Sequence, residues 1–445
     1  MKKEYLSEER REQRRLIRER NQKLAYTVVA GLVLGIIALM AVMFLIRRMD
    51  DNVGAGQGQN ADGTEDVFSS EAELTPPPAT TAEPVPTMTP EALLEQEIDA
   101  IIAEMTIVEK VAGLFIITPE ALTGVGTAVE AGEGTKDALE DYPVGGLIYF
   151  SQNIQSREQL AQMLANTKEY SRYPIFIAID EEGGSVNRVS AAGLGEKQAA
   201  AADIGATGDP NNAYLAGSTI GAYLAELGFN VDFAPVADLS NVEGSVMKSR
   251  AYGSTADVAS PYVAAMVTGL QEQGVMGCLK HFPGIGSTTS DTHNGFAYTD
   301  RTEEQFRSEE FKVFQAGIDA GAQMIMVGHV TAENLTNGQD GGGSPLPASM
   351  SPTIITGYLR NELGYEGVII TDAMNMSAIS DYYSSEQAAV MALKAGCDMI
   401  LMPENFFQAY AGILNAVQDG VISEERIDDS LRRIFRIKYA EGFNG

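Results

Sequence analysis

From about residue 113 to its end, the chain alternates short apolar runs with longer stretches of mixed polarity. Eight of the runs are six or seven residues long and rich in Val, Ile, Leu and Met, which is typical of strands buried on both faces. The runs are 113–118, 144–150, 174–180, 231–236, 275–281, 323–329, 367–372 and 397–402.

Segments with the period of an amphipathic helix separate most of these runs. The clearest are 157–170, 212–227, 258–273, 303–320, 352–363 and 385–395. Two helix-start signals precede the first run, namely Thr89 before Pro90 and a capping box at Thr106 and Glu109. Buried strands that alternate with helices predict an α/β fold of the (β/α)8 TIM-type barrel class, although the first run is also compatible with a helix.

Chemically capable side chains stand at the carboxyl ends of the predicted strands. They are Asp180, Asp238, Lys280, His281, His329 and Asp372. Parallel barrels build their active sites on this face. We therefore expect these side chains to surround a single mouth.

The stretch from Lys280 to His293 carries two of the three histidines of the chain. Asp291 and His293 are close enough along the chain for the carboxylate to hold one imidazole nitrogen, which would fix the tautomer of the ring. Proline and glycine between the two ends predict an irregular loop. A D-x-H pair alone is also compatible with an incidental acidic neighbour.

From about residue 93 onwards, the ordered motifs resemble glycoside hydrolase family 3, specifically its bacterial β-N-acetylglucosaminidase (β-hexosaminidase) branch. One short motif is weak evidence, but the ordered set covers nearly all of this region. The motifs are Met105-Thr106-x-x-Glu109-Lys110, Asp180-x-Glu182-Gly183-Gly184-x-x-x-Arg188, Ser249-Arg250-x-x-Gly253, Lys280 to His293, Val327-Gly328-His329, Pro347-Ala348-Ser349 and Thr371-Asp372-Ala373-Met374-x-Met376.

The resemblance implies roles for particular residues. Asp372 matches the nucleophile of the family, and His293 matches the general acid/base with Asp291 as its partner. The positions that match sugar-binding residues are Asp180, Arg188, Arg250, Lys280 and His281. Simple structural roles remain open for them: a helix cap for Asp372, an inter-strand salt bridge for Lys280 with Asp180, and surface ion pairs for the arginines. For His329, a position close to the substrate and a purely structural role both remain open.

Three positions depart from the pattern of this branch. Ile285 stands where a histidine is common, Glu181 where a glutamine is common, and Thr292 where a serine is frequent. None of these changes removes a residue that matches a catalytic position. Their effect on the loop and on the leaving-group side is left open.

The resemblance implies a retaining exo-β-N-acetylglucosaminidase that acts on terminal GlcNAc of peptidoglycan-derived or related glycans and needs no cofactor or metal. Alternatives are a β-N-acetylglucosaminide phosphorylase, a β-glucosidase and a tethered glycan-binding module without activity. Metal-dependent hydrolysis is a weaker alternative, since no H-x-H, H-x-x-x-H or C-x-x-C spacing occurs. The natural glycan and the oligomeric state are not predicted.

The first 48 residues predict a membrane anchor. Residues 1–24 carry nine Lys/Arg and five Glu, and Leu24–Ile46 has no charge. A charge-free run of this length spans the hydrocarbon core, and the basic flank places the preceding tail in the cytoplasm. We therefore expect a cytoplasmic tail (1–24), an uncleaved single-pass anchor (25–46), a disordered acidic and Pro/Thr-rich linker (47–92) and an extracytoplasmic barrel domain (93–445).

The net charge indicates which classes of partner are disfavoured, and the cysteine content indicates whether a disulfide is expected. The chain carries 31 Lys/Arg and 61 Asp/Glu, and removal of residues 1–48 (11 basic, 5 acidic) leaves 20 − 56 = −36. A field of this sign disfavours binding of nucleic acid through its phosphates. The two cysteines, Cys278 and Cys397, fall in predicted strands and are expected to be buried free thiols rather than a disulfide.

Overall fold

The computed structural model describes residues 89–292, 295–341, 345–440, 442–443 and 445. The predicted tail, the anchor at 25–46 and nearly all of the linker lie outside the described residues. Within the described ranges, no helix is both long enough and apolar enough to cross a membrane.

Eight parallel strands form the predicted barrel. Neighbouring strands follow the order β10-β1-β2-β3-β4-β5-β7-β9, and a parallel bridge between Ile370 and Met399 joins the two ends. Strands β6 and β8 form a separate parallel ribbon. The strands are β1 Phe115–Ile117, β2 Gly146–Ile148, β3 Phe176–Ile179, β4 Val231–Asp232, β5 Met276–Phe282, β6 Ala297–Tyr298, β7 Met324–Val327, β8 Val330–Thr331, β9 Val368–Thr371 and β10 Ile400–Leu401.

Helices surround the barrel and connect its strands. In chain order they are α1 Pro90–Glu104, α2 Ile107–Ala112, α3 Pro119–Thr123, α4 Glu133–Asp141, α5 Arg157–Tyr170, α6 Ala201–Gly205, α7 Asn211–Leu227, α8 Ala256–Gln271, α9 Glu303–Ser308, α10 Glu310–Asp319, α11 Glu333–Thr336, α12 Thr353–Glu362, α13 Ser377–Ser380, α14 Ser385–Ala395, α15 Phe406–Gln418 and α16 Glu424–Lys438. Short 3-10 turns span Ser151–Asn153 and Ala348–Met350.

Local signals in the sequence explain most helix starts. Thr89 accepts the Ala92 amide ahead of Pro90, and Thr106 and Glu109 cap each other as predicted. The predicted single helix 303–320 is wrong in one respect, since it is interrupted at Glu309. The side chain of Glu309 accepts a hydrogen bond from the first amide of α8, with 2.7 Å between Ala256 N and Glu309 Oε2.

The barrel strands are buried as the apolar runs predict. Every residue of β1, β2, β3, β7 and β9 is buried. The first run pairs with β2 and β10, so it is a strand and not a helix. Cys278 and Cys397 are free and buried. Cys397 lies before β10 rather than inside a strand, because α14 ends at Ala395 with Gly396 as its cap and the strand begins only at Ile400.

A buried carboxylate ties the helices to the start of β10. Asp398 is fully buried and accepts hydrogen bonds from Arg360, Arg433, Ser430 and the amide of Ile369, at 2.8–3.1 Å. These donors come from α12, α16 and β9. The carboxylate therefore replaces its lost hydration with four donors and stabilises the closure of the barrel.

We expect Asp398→Asn to lower the free energy of unfolding by about 3–5 kcal/mol, because it leaves partly buried arginines without their counter-charge. Asp429→Asn removes an exposed partner of Arg432 and should cost at most about 1 kcal/mol. Urea unfolding followed by circular dichroism measures both, since the chain has no Trp. Equal effects of the two substitutions would contradict a clamping role of Asp398.

Candidate active site

An open cavity of about 440 Å³ lies at the carboxyl ends of the barrel strands. This volume is in the range of small-molecule sites. Its floor is apolar, formed by Ile148, Phe233, Met326 and Leu401. The structure brings seven of the predicted site residues to its wall: Asp180, Arg188, Arg250, Lys280, His281, Asp291 and Asp372.

Lys280 lies at the centre of the charged wall. Its side chain is 3% exposed, and its ammonium contacts Asp180 Oδ1 and Glu182 Oε1, each at 2.7 Å. Glu182 in turn accepts two hydrogen bonds from Arg250, from Nη2 at 2.6 Å and from Nε at 2.8 Å. Two cations and two carboxylates thus neutralise each other in a fixed arrangement, which orients the donors and acceptors that face the cavity.

The electrostatics of these groups follow from burial and pairing. Burial alone would raise the pKa of Glu182, but the charges of Lys280 and Arg250 lower that pKa to about 2. Burial alone would lower the pKa of Lys280, but Asp180 and Glu182 raise it above its ordinary value. Glu182 and Lys280 are therefore held in their charged forms at neutral pH.

Asp372 follows β9 directly and faces the cavity. Its backbone amide donates to Val327 O at 2.8 Å, and Oδ1 accepts the Ala373 amide at 2.7 Å. Burial opposes ionisation of the carboxyl group, but His281, His329, the Ala373 amide and Lys280 outweigh it and lower the pKa. Helix α13 starts only at Ser377, so Asp372 does not cap it.

His281 is oriented by a buried aspartate. Asp238 is fully buried, and its Oδ2 lies 2.7 Å from His281 Nδ1. The same carboxylate accepts the amides of His281 and Ile285, at 3.2 and 2.8 Å. This contact fixes the orientation of the His281 ring and leaves Nε2 on its opposite side.

His329 takes a structural position. It is fully buried, with Nδ1 2.8 Å from Ser349 Oγ and Nε2 3.1 Å from Ala373 O. Because a carbonyl only accepts, Nε2 carries a proton and donates to Ala373 O. His329 therefore fixes the backbone next to Asp372 and does not line the cavity.

Glu181, one of the departures from the pattern, organises the loop that carries Arg188. Its carboxylate is fully buried and accepts the amides of Arg188, Val189 and Ser190 as well as the hydroxyl of Tyr223, at 2.5–2.9 Å. Arg188 itself lines the cavity and has no ion pair among the described residues. A surface ion pair does not explain its position.

The loop after β5 is anchored at its first half. Gly286 lies so close to the loop after β4 that a Cβ atom would stand 1.7 Å from Leu239 O, and its own carbonyl accepts the Ser245 hydroxyl at 2.7 Å. Ile285, another departure, is a buried part of the cavity wall, as is Thr292. Asp291 is exposed and lines the cavity, whereas His293 lies outside the described residues.

The expectation that Asp238 and His329 reach the mouth is wrong, because both are fully buried and neither lines the cavity. Glu182 and Ser349 lie in the quoted motifs, but the motifs assign no role to them, and the sequence does not tell which of Glu181 and Glu182 turns to the cavity. Asp238 and Ser349 act through histidines 43 and 20 residues away. Within the part of the chain that the structure describes, no group of three or more His, Cys, Asp and Glu side chains is placed to hold a metal ion.

Comparison with known proteins identifies the family. The model of the glycosyl hydrolase family 3 N terminal domain matches residues 98–437. The chain belongs to glycosyl hydrolase family 3. The matched region of this family 3 chain contains every strand of the barrel and the whole described cavity wall.

Relatives of this family 3 chain include two bacterial proteins named beta-hexosaminidase. The beta-hexosaminidase A of Pseudoalteromonas piscicida is 33% identical over 330 residues, which are 68% of this chain and 54% of that protein. The beta-hexosaminidase of Stenotrophomonas maltophilia (strain R551-3) is 35% identical over 311 residues, 67% of this chain and 86% of that protein.

A solved structure agrees with the fold of the family 3 domain. The glycoside hydrolase family 3 beta-N-acetylglucosaminidase from Paenibacillus sp. str. FPU-7 superposes with a TM-score of 0.67 at 34% identity. The comparison covers 75% of this chain and 62% of that one. The chain thus spans only about half to two thirds of the length of some of its relatives.

We expect Glu182→Gln to lower the free energy of unfolding by about 3 kcal/mol at pH 7, because a buried cation pair loses its shared carboxylate. Since the pKa of Glu182 falls from 4.5 to about 2 on folding, its contribution is complete above pH 4.5 and is lost as the pH falls towards 2. Urea unfolding of wild type and variant between pH 7 and pH 3 measures the difference.

Glu303→Gln provides the matched control, because Glu303 forms an exposed pair with Arg307. Its effect should stay below about 0.5 kcal/mol. A wild-type advantage over Glu182→Gln that grows below pH 4.5 would contradict the electrostatic account.

Proposed function

We propose that the chain is a retaining exo-β-N-acetylglucosaminidase that removes terminal GlcNAc from a glycan through a covalent glycosyl-enzyme. The single observation that carries the proposal is the cavity wall itself. An ionised carboxylate, Asp372, and the segment that bears Asp291 open on one sugar-sized space beside a fixed set of hydroxyl-binding charges. The names of the relatives support GlcNAc as the sugar that is released.

In the proposed first step, Asp372 attacks the anomeric carbon and the bond to the leaving oxygen breaks. His293 donates a proton to that oxygen, so the aglycone leaves as a neutral alcohol. A lowered pKa of Asp372 supports this role, since only the carboxylate can form the ester bond. The transition state is cationic, and the carboxylates of the wall stabilise positive charge on the sugar.

In the proposed second step, water attacks the same carbon and the ester bond to Asp372 breaks. His293 accepts a proton from the water, and two displacements restore the β configuration. Asp291 is the partner that would orient the imidazole, as a buried aspartate does in hydrolytic triads. Its place on the cavity wall supports this role.

The remaining charges are proposed to hold the sugar hydroxyls. Asp180 offers its Oδ2 as an acceptor, since Oδ1 already binds Lys280. Arg188 offers donors that are not used in ion pairs of the described residues. The apolar floor closes the cavity beneath one ring, which favours removal of a terminal sugar over cleavage within a long chain.

We also propose that the domain acts outside the cytoplasm on cell-wall glycans. The support is the charge-free segment at 25–46 with its basic flank, followed by a linker that would separate the domain from the membrane. Protease treatment of intact cells that carry the full chain tests this. Degradation of the domain in intact cells is expected, and protection until the cells are lysed would overturn the assignment.

We expect Asp372→Ala to lower kcat/KM for an aryl β-GlcNAc by roughly 10⁴ or more, and His293→Ala by about 10²–10⁴. Azide distinguishes the two roles by the configuration of its product. With Asp372→Ala, azide enters from the nucleophile's side and gives the α-azide, whereas with His293→Ala it attacks the glycosyl-enzyme and gives the β-azide. NMR spectroscopy of the products checks the configuration.

Asp381→Ala is the matched control, because Asp381 is exposed on the same connection between β9 and β10. It should retain wild-type activity. Assays with and without phosphate identify the acceptor, and release of GlcNAc 1-phosphate in place of GlcNAc would replace hydrolysis by phosphorolysis. Turnover of aryl glucoside but not aryl β-GlcNAc, or loss of activity in EDTA, would overturn the proposed specificity or mechanism.

A further inference from the structure

Three aromatic side chains form an exposed shelf, which we define as Phe296, Tyr298 and Tyr382. The ring of Phe296 lies with its centroid 4.0 Å from that of Tyr382 and 6.2 Å from that of Tyr298. Tyr382 is 55% exposed and Tyr298 is 48% exposed. Contiguous exposed rings of this size are unusual on a soluble surface unless a ligand or partner covers them.

The aromatic shelf stands where two loops of the cavity wall meet. On the loop after β5, Thr292 lines the cavity and Phe296 follows four residues later. On the loop after β9, Ser377 lines the cavity and Tyr382 follows five residues later. The contact between Phe296 and Tyr382 therefore joins the two loops that contribute Thr292 and Ser377 to the cavity wall.

The shelf is positioned by regular structure. Tyr298 belongs to β6 and pairs with Thr331 of β8, and the next amide, of Thr299, donates to Thr331 O at 3.1 Å. Tyr382 follows α13, and its amide donates to Ile379 O at 3.0 Å. The backbone that carries Tyr298 and Tyr382 is therefore fixed, and both rings contact Phe296, which lowers the entropic cost of binding.

Stereochemistry decides which part of a substrate would reach the shelf. In a displacement at the anomeric carbon, the leaving group departs on the side opposite the nucleophile and next to the acid. Asp372 is on the loop after β9, and the segment from Asp291 is on the loop after β5. Phe296 and Tyr298 continue that second loop, which places them towards the leaving group. Tyr382 follows the loop of Asp372, but its ring contact with Phe296 brings it to the same side.

From these positions we propose that the aromatic shelf binds the leaving group and selects substrates whose aglycone is a ring, such as a second pyranose. The apolar CH face of a pyranose packs on an aromatic ring, and the ring hydroxyls stay in water. The inference rests on the proposed glycosidase function. It assigns a specificity-determining role to residues that take no part in bond cleavage.

The test compares two substrates whose leaving oxygens have similar basicity. One is the β-1,4-linked GlcNAc disaccharide, and the other is the methyl β-glycoside of GlcNAc, which has no ring in its aglycone. We expect Tyr382→Ala to lower the ratio of kcat/KM for the disaccharide to kcat/KM for the methyl glycoside about tenfold. Tyr298→Ala should lower the same ratio, and a double variant should lower it further.

Tyr382→Phe keeps the ring without the hydroxyl and should keep the wild-type ratio to within about twofold. Phe407→Ala removes a similarly exposed ring that packs on Tyr142 and Phe406 instead of on the shelf, and it should also leave the ratio unchanged. A ratio that stays within twofold of wild type in the Tyr382→Ala and Tyr298→Ala variants overturns the inference, even if both rates fall together. A wild-type enzyme that releases GlcNAc from neither substrate would instead contradict the proposed function.

Discussion

The arrangement of the mouth depends on a cation that is buried where a strand ends. Lys280 is almost inaccessible to water, so its charge must be balanced by groups of the protein itself. Asp180 and Glu182 provide that balance, and Glu182 is shared with Arg250. Because each group is already paired with another, the set is oriented without a ligand. In the proposed function, a sugar meets these preorganised donors and acceptors rather than mobile side chains.

At both ends of the barrel, buried charged groups are balanced by partners of opposite charge or by hydrogen-bond donors, but the two sets have different roles. Asp398 is surrounded by donors that have no opening towards a cavity, so it serves closure of the barrel and stability. The Lys280 set opens on a cavity, and Asp180 remains partly exposed to it. The buried charged groups at the amino ends of the strands therefore stabilise the fold, whereas those at the carboxyl ends face the cavity and can take part in chemistry, as expected for a barrel of this class.

Residues behind the cavity wall fix the orientation of the side chains and backbone that form it. Asp238 fixes the ring of His281, Glu181 gathers three amides of the loop that carries Arg188, and His329 holds the backbone beside Asp372. The departure at Glu181 is therefore compatible with a built site, because a carboxylate accepts all these donors. Ile285 keeps its backbone contact with Asp238 and places an apolar side chain on the cavity wall.

The aromatic shelf gives the mouth a second kind of surface. Its rings continue the loops that hold the charged wall, but they offer no charge and remain open to water. The charged wall suits the hydroxyls of a sugar held inside, whereas the shelf suits the apolar face of a ring outside. Recognition and cleavage would then be carried by different residues of the same loops.

The sequence by itself determined the strands, most of the helix starts and the family, because hydrophobic periodicity, capping residues and ordered motifs are local along the chain. It also indicated most of the residues that reach the mouth, since residues at the carboxyl ends of parallel strands share one face. It could not decide that Glu182 faces the cavity while Glu181 is buried, or that His329 supports the backbone, or that Phe296 meets Tyr382. Those outcomes depend on side-chain direction and on contacts between distant segments, which only the packed barrel fixes.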